Sequence, residues 1–326
     1  MNAGRRLGFA VKLIGDGGLP SHDARRWQSE PHLSISLAYL DAILTRLDEL
    51  DIRMYRMATS LAPYATHPDL PQFHGQLEQC REQLAAVGAR ARDLDIRLST
   101  HPGQYTVLNS EDEAVPRSAA AELEVQAELM DSMGLAAESV VVVHVGGAAG
   151  GNAAGAERFE RGLELLSDAA RSRLVIENDD RTYAVREVCD LAARTGVRVV
   201  WDSLHHRCND PDRIPEDAAL DMALATWPAG CTPKIHVSSP RLDVEERKKK
   251  VGRRVERRIV LPQLRAHADL VDPIAFETLA RGPLAGRSCD VMIEAKAKDL
   301  AVLRLRDQLG ERGFGWDRGR LMDAPA

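Results

Sequence analysis

The chain of 326 residues is predicted to fold as a single (β/α)8 TIM barrel over residues 1–326, with a basic insert at 241–258 and a short polar C-terminal tail. Three observations lead there. Eight β-like runs alternate with amphipathic helical patterns, the rhythm of a parallel α/β barrel. The fourth run, Val140-Val-Val-Val-His144-Val, is apolar on both faces, which a parallel strand covered on both sides tolerates. Imidazoles or carboxylates end six consecutive runs, and in a barrel those ends converge on one bowl.

The strand-like runs lie near 6–11, 52–58, 96–100, 139–145, 174–177, 197–202, 234–238 and 291–294. Between them, Leu37, Leu40, Ile43, Leu44, Leu47 and Leu50 recur at helical spacing. So do Leu77, Cys80, Leu84, Val87 and Ala91, and then Leu123, Ala127, Met130 and Met133. Phe159, Leu163 and Leu166 follow, then Val185, Val188, Leu191 and Ala192, then Ala218, Met222 and Leu224. A doubly wound open sheet is the second choice. It is disfavoured because no Gly-x-Gly-x-x-Gly follows the first run, so no dinucleotide cofactor is expected.

A net charge of −6 excludes a global basic field, so any nucleic-acid contact must be local. Five cysteines, odd in number and without a C-x-x-C pair, argue against disulfide frameworks and thiolate metal sites. With no apolar signal-like stretch at the start and no apolar run of ~18 residues, a cytoplasmic, membrane-free protein is expected, and a monomer. The insert at 241–258 holds nine Lys or Arg and four acids. A run of that kind is usually a solvated or disordered face. Its place after the seventh strand favours an arm that contacts phosphate.

The strand ends carry the chemistry. The third run ends at His101, before Pro-Gly-Gln104-Tyr105. The fourth carries His144, the fifth Glu177-Asn-Asp, the sixth Asp202-Ser-Leu-His205-His206. The seventh reads Lys234-Ile-His236, the eighth Glu294-Ala-Lys, and His267 lies in the loop between them. One histidine at a strand end is most often a satisfied rim residue. Several converging carboxylates are different, because burying them together without cations is prohibitive. A His, Asp and Glu donor set without Cys suits Mn²⁺, Zn²⁺ or Fe²⁺. The donors outnumber one ion's needs, so two or three metals are expected, an arrangement suited to phosphodiester hydrolysis.

These motifs, with Arg6-Leu-Gly, Tyr55-Arg56-Met and Tyr64-Ala-Thr-His67-Pro, closely resemble the UV damage endonucleases, barrel enzymes related to endonuclease IV. The match runs from about residue 6 to 296. The resemblance implies that His101, His144 and Glu177 hold one metal. Glu177 would bridge to a second, also held by Asp202, His236 and Glu294. His205 and His267 would hold a third. Mn²⁺ is the metal expected. It makes Glu177, Lys234 (as a carboxylated lysine) and His67 the catalytic positions. Gln104 and Tyr105 would probe the helix, and Phe9, Arg56 and His206 would contact DNA or the lesion. Phe9 departs from the family's tyrosine, which removes a hydroxyl donor there.

The implied activity is DNA repair: cutting damaged double-stranded DNA immediately 5′ of pyrimidine dimers, (6-4) photoproducts or abasic sites, leaving 3′-hydroxyl and 5′-phosphate ends. On DNA the enzyme would associate with the nucleoid. The rivals are a sugar isomerase or epimerase on the same barrel, a general abasic-site endonuclease, and a non-catalytic damage-binding module. Bare carboxylates repel phosphate, which weighs against the last.

Overall fold

The structure is a computed structural model and describes residues 4–252 and 254–322. Residues 1–3, Arg253 of the basic insert and residues 323–326 of the tail lie outside the described residues. The barrel strands are β1 (Arg5–Ala10), β2 (Met54–Arg56), β3 (Arg97–Ser99), β4 (Val141–His144), β5 (Leu174–Glu177), β6 (Arg198–Val200) and β7 (Lys234–Val237). After a hairpin of β8 (Glu245–Val251) and β9 (Arg254–Val260), β10 (Asp290–Ile293) completes the wall. Parallel ladders join β7, β10, β1, β2 and β3 in that order. A second set joins β4, β5 and β6. Single parallel bridges close the circle, Thr100 to Val141 and Asp202 to His236. The second bridge puts two expected metal ligands side by side in the backbone.

The helices are α1 (Leu33–Glu49), α2 (Gln76–Gln79), α3 (Arg81–Asp93), α4 (Ala114–Ser132), α5 (Asn152–Leu163), α6 (Asp168–Arg173), α7 (Val185–Thr195), α8 (Ser203–Cys208), α9 (Glu216–Leu224), α10 (Pro273–Arg281) and α11 (Lys298–Glu311). In α1 the buried set Leu33, Leu37, Leu40, Ile43, Leu44 and Leu47 faces the barrel, as the spacing requires. A glycine inside a helix ordinarily costs ~0.5–1 kcal/mol relative to alanine. Gly88 of α3 has a packing reason to be there, since a Cβ would lie 1.9 Å from the Met133 carbonyl oxygen after α4.

The fully apolar fourth strand is buried on both sides. Val140 and Val142 join Val175, Val200 and Trp227 in one cluster, while Val141 and Val143 belong to the larger cluster under the helices. Charge also enters the barrel floor: Asp290 accepts from Arg97 at 2.9 Å and from Arg6 at 3.0 Å.

One expectation changes. The C-terminal stretch is not merely a polar tail: β11 (Gly315–Asp317) and β12 (Arg320–Met322) form a hairpin, and β12 pairs antiparallel with the start of β1. Leu321 at its centre is buried, which anchors it. Within the basic insert, β8 and β9 pair as a two-stranded antiparallel ribbon. None of the five cysteines forms a disulfide among the described residues. Among the described residues no helix is long and apolar enough to cross a membrane.

Candidate metal centre

The carboxyl ends of β3 to β7 and β10 gather their side chains in one cup. Glu177 lies at its middle, because the β4–β5 register sets it beside His144. Its Oε2 is 3.1 Å from His101 Nε2 and 3.8 Å from His144 Nε2. Its Oε1 is 2.9 Å from His236 Nδ1 and 3.4 Å from His205 Nδ1. Glu294 Oε1 is 3.2 Å from His236 Nδ1, and Glu294 Oε2 is 3.7 Å from His267 Nδ1. One donor atom each from Glu177, Asp202, His236 and Glu294 lies within 4.8 Å of the others, as does one each from His101, Glu177 and His236.

The electrostatics follow from burial. Burial works to raise the Glu177 carboxyl, yet His236, His144, His101 and His205 outweigh it and hold it well below the usual range. Burial pushes Asp202 up to about 7, with the charges of Glu177 and Glu294 adding to it. Burial opposes protonation of His205, but Asp202, Glu177 and Glu294 raise it to about 11. Burial lowers His236 to about 4. Three carboxylates kept this close, with one Asp202 oxygen lacking any hydrogen-bond partner, form a site short of positive charge.

The orientation of the imidazoles suits ligation. A carbonyl only accepts, so His101 Nδ1–H donates to the Pro102 carbonyl at 3.1 Å, and Nε2 faces Glu177 Oε2 in the cup. His205 Nδ1–H donates to the Asn178 carbonyl at 3.0 Å in the same way. Gly146, two residues past His144, has φ of 109°, and a Cβ there would sit 2.3 Å from Asn109 Oδ1. The turn that delivers His144 therefore needs glycine. The hard and borderline donors, the orphaned oxygen and the surplus carboxylates fit divalent cations.

All eight expected ligands thus meet. Lys234 is fully buried one layer beneath, since it shares the inner side of β7 with His236. Its Nζ has no hydrogen-bond partner among the described residues. Burial, then the nearby Arg56 and Arg97, lower its pKa well below the usual lysine range. Gln104 and Tyr105 project on the loop after β3, and Tyr105 is 85% exposed. His67 is exposed on the loop after β2, with its ring 6.1 Å from that of Tyr64.

Two positions, Phe9 and His206, depart from expectation. Phe9 is fully buried, edge-on to Tyr55 at 5.5 Å, so it packs the core instead of stacking on a base. Arg56 points its guanidinium into the cup, donating to Glu294 and to His236 Nε2. His206 is buried, and its Nε2–H donates to the Ile214 carbonyl at 2.9 Å, so it holds the loop after α8.

The model of the family described as UV-endonuclease UvdE matches residues 37–313. The chain belongs to the UvdE family. The UV DNA damage endonuclease of Bacillus velezensis is 33% identical over 260 residues, spanning 79% of this chain and 75% of that one. That of Bacillus pumilus is 31% identical, with the same coverage. The solved structure of SacUVDE superposes with a TM-score of 0.76 at 27% identity, covering 94% of this chain and 99% of that one. D-psicose 3-epimerase, at 14% identity and a TM-score of 0.53 over 94% of this chain and 97% of that one, shares the fold.

In this UvdE chain one supporting residue escaped the sequence reading. Asn178 locks Asp202 from both sides: its Oδ1 accepts from the Asp202 amide at 2.8 Å, and its Nδ2 donates to the Asp202 carbonyl at 3.1 Å. Adjacency to Glu177 was the available signal. Arg181 and Arg265, with Gln263, line the open cleft beside His144 and His205 and were also missed.

The pKa pattern gives a signed expectation. An acid raised to about 7 keeps its proton more tightly in the cup than in water, and bound metal must displace it. Mn²⁺ affinity of chelator-stripped protein should therefore rise as pH goes from ~5.5 to ~8. His205, protonated across that range when the cup is bare, should release a proton on loading. Calorimetry in buffers of different ionisation enthalpy measures this. Flat affinity with no proton release would mean that Asp202 and His205 do not bind the metal.

Proposed function

We propose that the chain is a metal-dependent DNA repair endonuclease that hydrolyses the phosphodiester immediately 5′ of UV photolesions, and of abasic sites, leaving 3′-hydroxyl and 5′-phosphate ends. The observation that supports this reading is the cup itself: eight donors from six strand ends and one loop, three of them carboxylates, in a chain of the UvdE family. Two to three divalent ions, Mn²⁺ foremost, would be held by His101, His144 and Glu177, by Glu177, Asp202, His236 and Glu294, and by His205 and His267. Such ions supply an acidified water and positive charge for the non-bridging and leaving oxygens.

The chain's own residues do the rest. Glu177 links the two halves of the donor set. Asn178 fixes the Asp202 backbone, so the carboxylate keeps its aim. Arg56 holds Glu294 and His236 in place. Burial favours the neutral amine of Lys234, which could take up CO₂ with loss of a proton; the charges of the nearby Arg56 and Arg97 would favour the resulting carbamate anion. His67, exposed on its loop with Nδ1 accepting from the Asp69 amide at 3.2 Å, would meet substrate phosphate.

Gln104 and Tyr105 would wedge into the duplex and support the flipped lesion, which damage has already made easier to unstack. Base–aromatic stacking is worth ~1–3 kcal/mol. Tyr105→Ala is thus expected to cut activity on damaged duplex by about 5- to 150-fold while metal content stays the same. Unchanged activity would remove the wedge role.

An end-labelled duplex with one dimer at a defined position tests the proposal as a whole. Cleavage at the adjacent 5′ phosphodiester, with a ligatable 3′-hydroxyl, is expected. Cleavage of an abasic duplex alone would make the enzyme a general abasic endonuclease. Turnover of a ketose with no DNA cleavage would make it an epimerase.

A further inference from the structure

The β8–β9 ribbon grows from the rim of the cup. Its neck is the antiparallel bridge of Pro240 to His267, closed by the Arg241 amide donating to the Ala266 carbonyl at 2.6 Å. His267 is one of the eight donors, so ribbon and cup share a backbone segment. Seven register pairs, from Glu245↔Val260 to Val251↔Arg254, carry the ribbon away from the neck. At ~3.4 Å per residue the paired part is about 24 Å long. Residues 246–250 and 254–259 are all exposed.

The charge pattern is costly for a free hairpin. Arg247 stands opposite Arg258, and Lys248 opposite Arg257. Like charges directly across a ladder destabilise it, and a lone two-stranded ribbon is already marginal in water. Directly paired residues share a face and successive pairs alternate. One face therefore carries Lys248, Lys250 and Arg257 against Glu246, and the other Arg247, Lys249, Arg254 and Arg258 against Glu245 and Glu256. The acids are partly used within the ribbon: Glu245 pairs with Arg247 at 3.0 Å, and Glu246 with Arg257 at 3.4 Å. Lys248, Lys250, Arg254 and Arg258 have no carboxylate partner among the described residues.

This concentration of positive charge stands on a chain of net charge −6, so it is local by construction. A ribbon meant for one flat acidic surface would need one basic face. A ribbon basic on both faces suits a groove walled by phosphates on two sides, and the DNA major groove admits a two-stranded ribbon. Phosphate contacts position a protein without reading sequence, which suits a lesion enzyme.

We propose that the β8–β9 ribbon is an arm that lies along the duplex flanking the cleavage site and holds it by its phosphates. The inference rests on the DNA reading of the cup. The arm sets how firmly the duplex is held and how strongly binding depends on salt. The chemistry stays with the cup.

The test is the combined variant Lys248→Gln, Lys250→Gln, Arg254→Gln, Arg258→Gln, read by fluorescence anisotropy on an undamaged and a dimer-containing duplex. Each lost phosphate contact should flatten the slope of log affinity against log salt by ~0.9, so a loss of about 3 to 4 is expected. The loss in cleavage should fall on KM and not on kcat, and metal content should equal the parent's. Identical salt slopes in parent and variant would overturn the arm, whether or not the parent cleaves. A changed sedimentation coefficient with unchanged slope would also overturn it, making the ribbon a contact between two copies. An arm-dependent slope in a parent that never cleaves damaged DNA would leave the arm and remove the repair reading.

Discussion

Glu177→Gln is expected to reduce cleavage of irradiated DNA by about 10³-fold or more while the barrel stays folded. Transition-state charge stabilisation by bound metals is worth several kcal/mol, and each 1.36 kcal/mol is tenfold in rate. In the proposed site, Glu177 is the residue that would organise that charge. Four imidazoles, His101, His144, His205 and His236, approach its two oxygens within 4 Å. Glutamine keeps the volume and removes the anion, so packing survives and ligation does not. Metal analysis of the purified variant should show a lower content than the parent's. Parent-like cleavage at parent-like metal content would mean that the bridging carboxylate is elsewhere.

Lys234→Met is the second large effect, and it separates stability from activity. The lysine is completely buried and its Nζ has no partner among the described residues. An unsatisfied buried polar group costs ~1–3 kcal/mol, so an apolar side chain of similar shape should fold as stably as lysine or more so. Activity should fall by about 10- to 100-fold, the usual price of losing a group that supports metal ligands. Thermal melts and cleavage rates on the same preparations decide it. A strong loss of stability would show that the amine is needed for folding. Unchanged activity would make Lys234 a passenger, and an unmodified amine in a crystal grown with bicarbonate would remove the carbamate.

The barrel was legible because its two strongest signals are physical necessities. A strand such as β4 that is covered on both faces must be apolar on both. A helix lying on the wall must present a 3.6-residue stripe, as α1 does. The helix α11 carried the same signal in Val302, Leu305 and Leu309 but was not read. The two added hairpins were invisible for a different reason. The tail hairpin β11–β12 has too few apolar residues for period two to show, and the β8–β9 ribbon is exposed on both faces, so no alternation is imposed on it.

The cup was legible because chemistry-bearing residues stand at strand ends, and the barrel alone brings those ends together. What sequence could not give was the direction of side chains. Phe9 follows Arg-Leu-Gly in a strand whose six residues are all buried. Arg56 ends β2 at the bowl, where its direction is decided by Glu294, 238 residues away. His206 directly follows the cup residue His205 but projects from a different side of α8, into Trp201 and Ile214. A motif shared with a family marks such positions without saying which of them face the substrate.

Nicking of supercoiled plasmid tests the central claim most directly. Irradiated and unirradiated plasmid are each incubated with Mn²⁺-loaded and with chelator-stripped protein. Relaxation of the irradiated plasmid by the loaded protein alone is expected. Nicking by the stripped protein, or equal nicking of both plasmids, would contradict a metal-bearing cup that acts on UV damage.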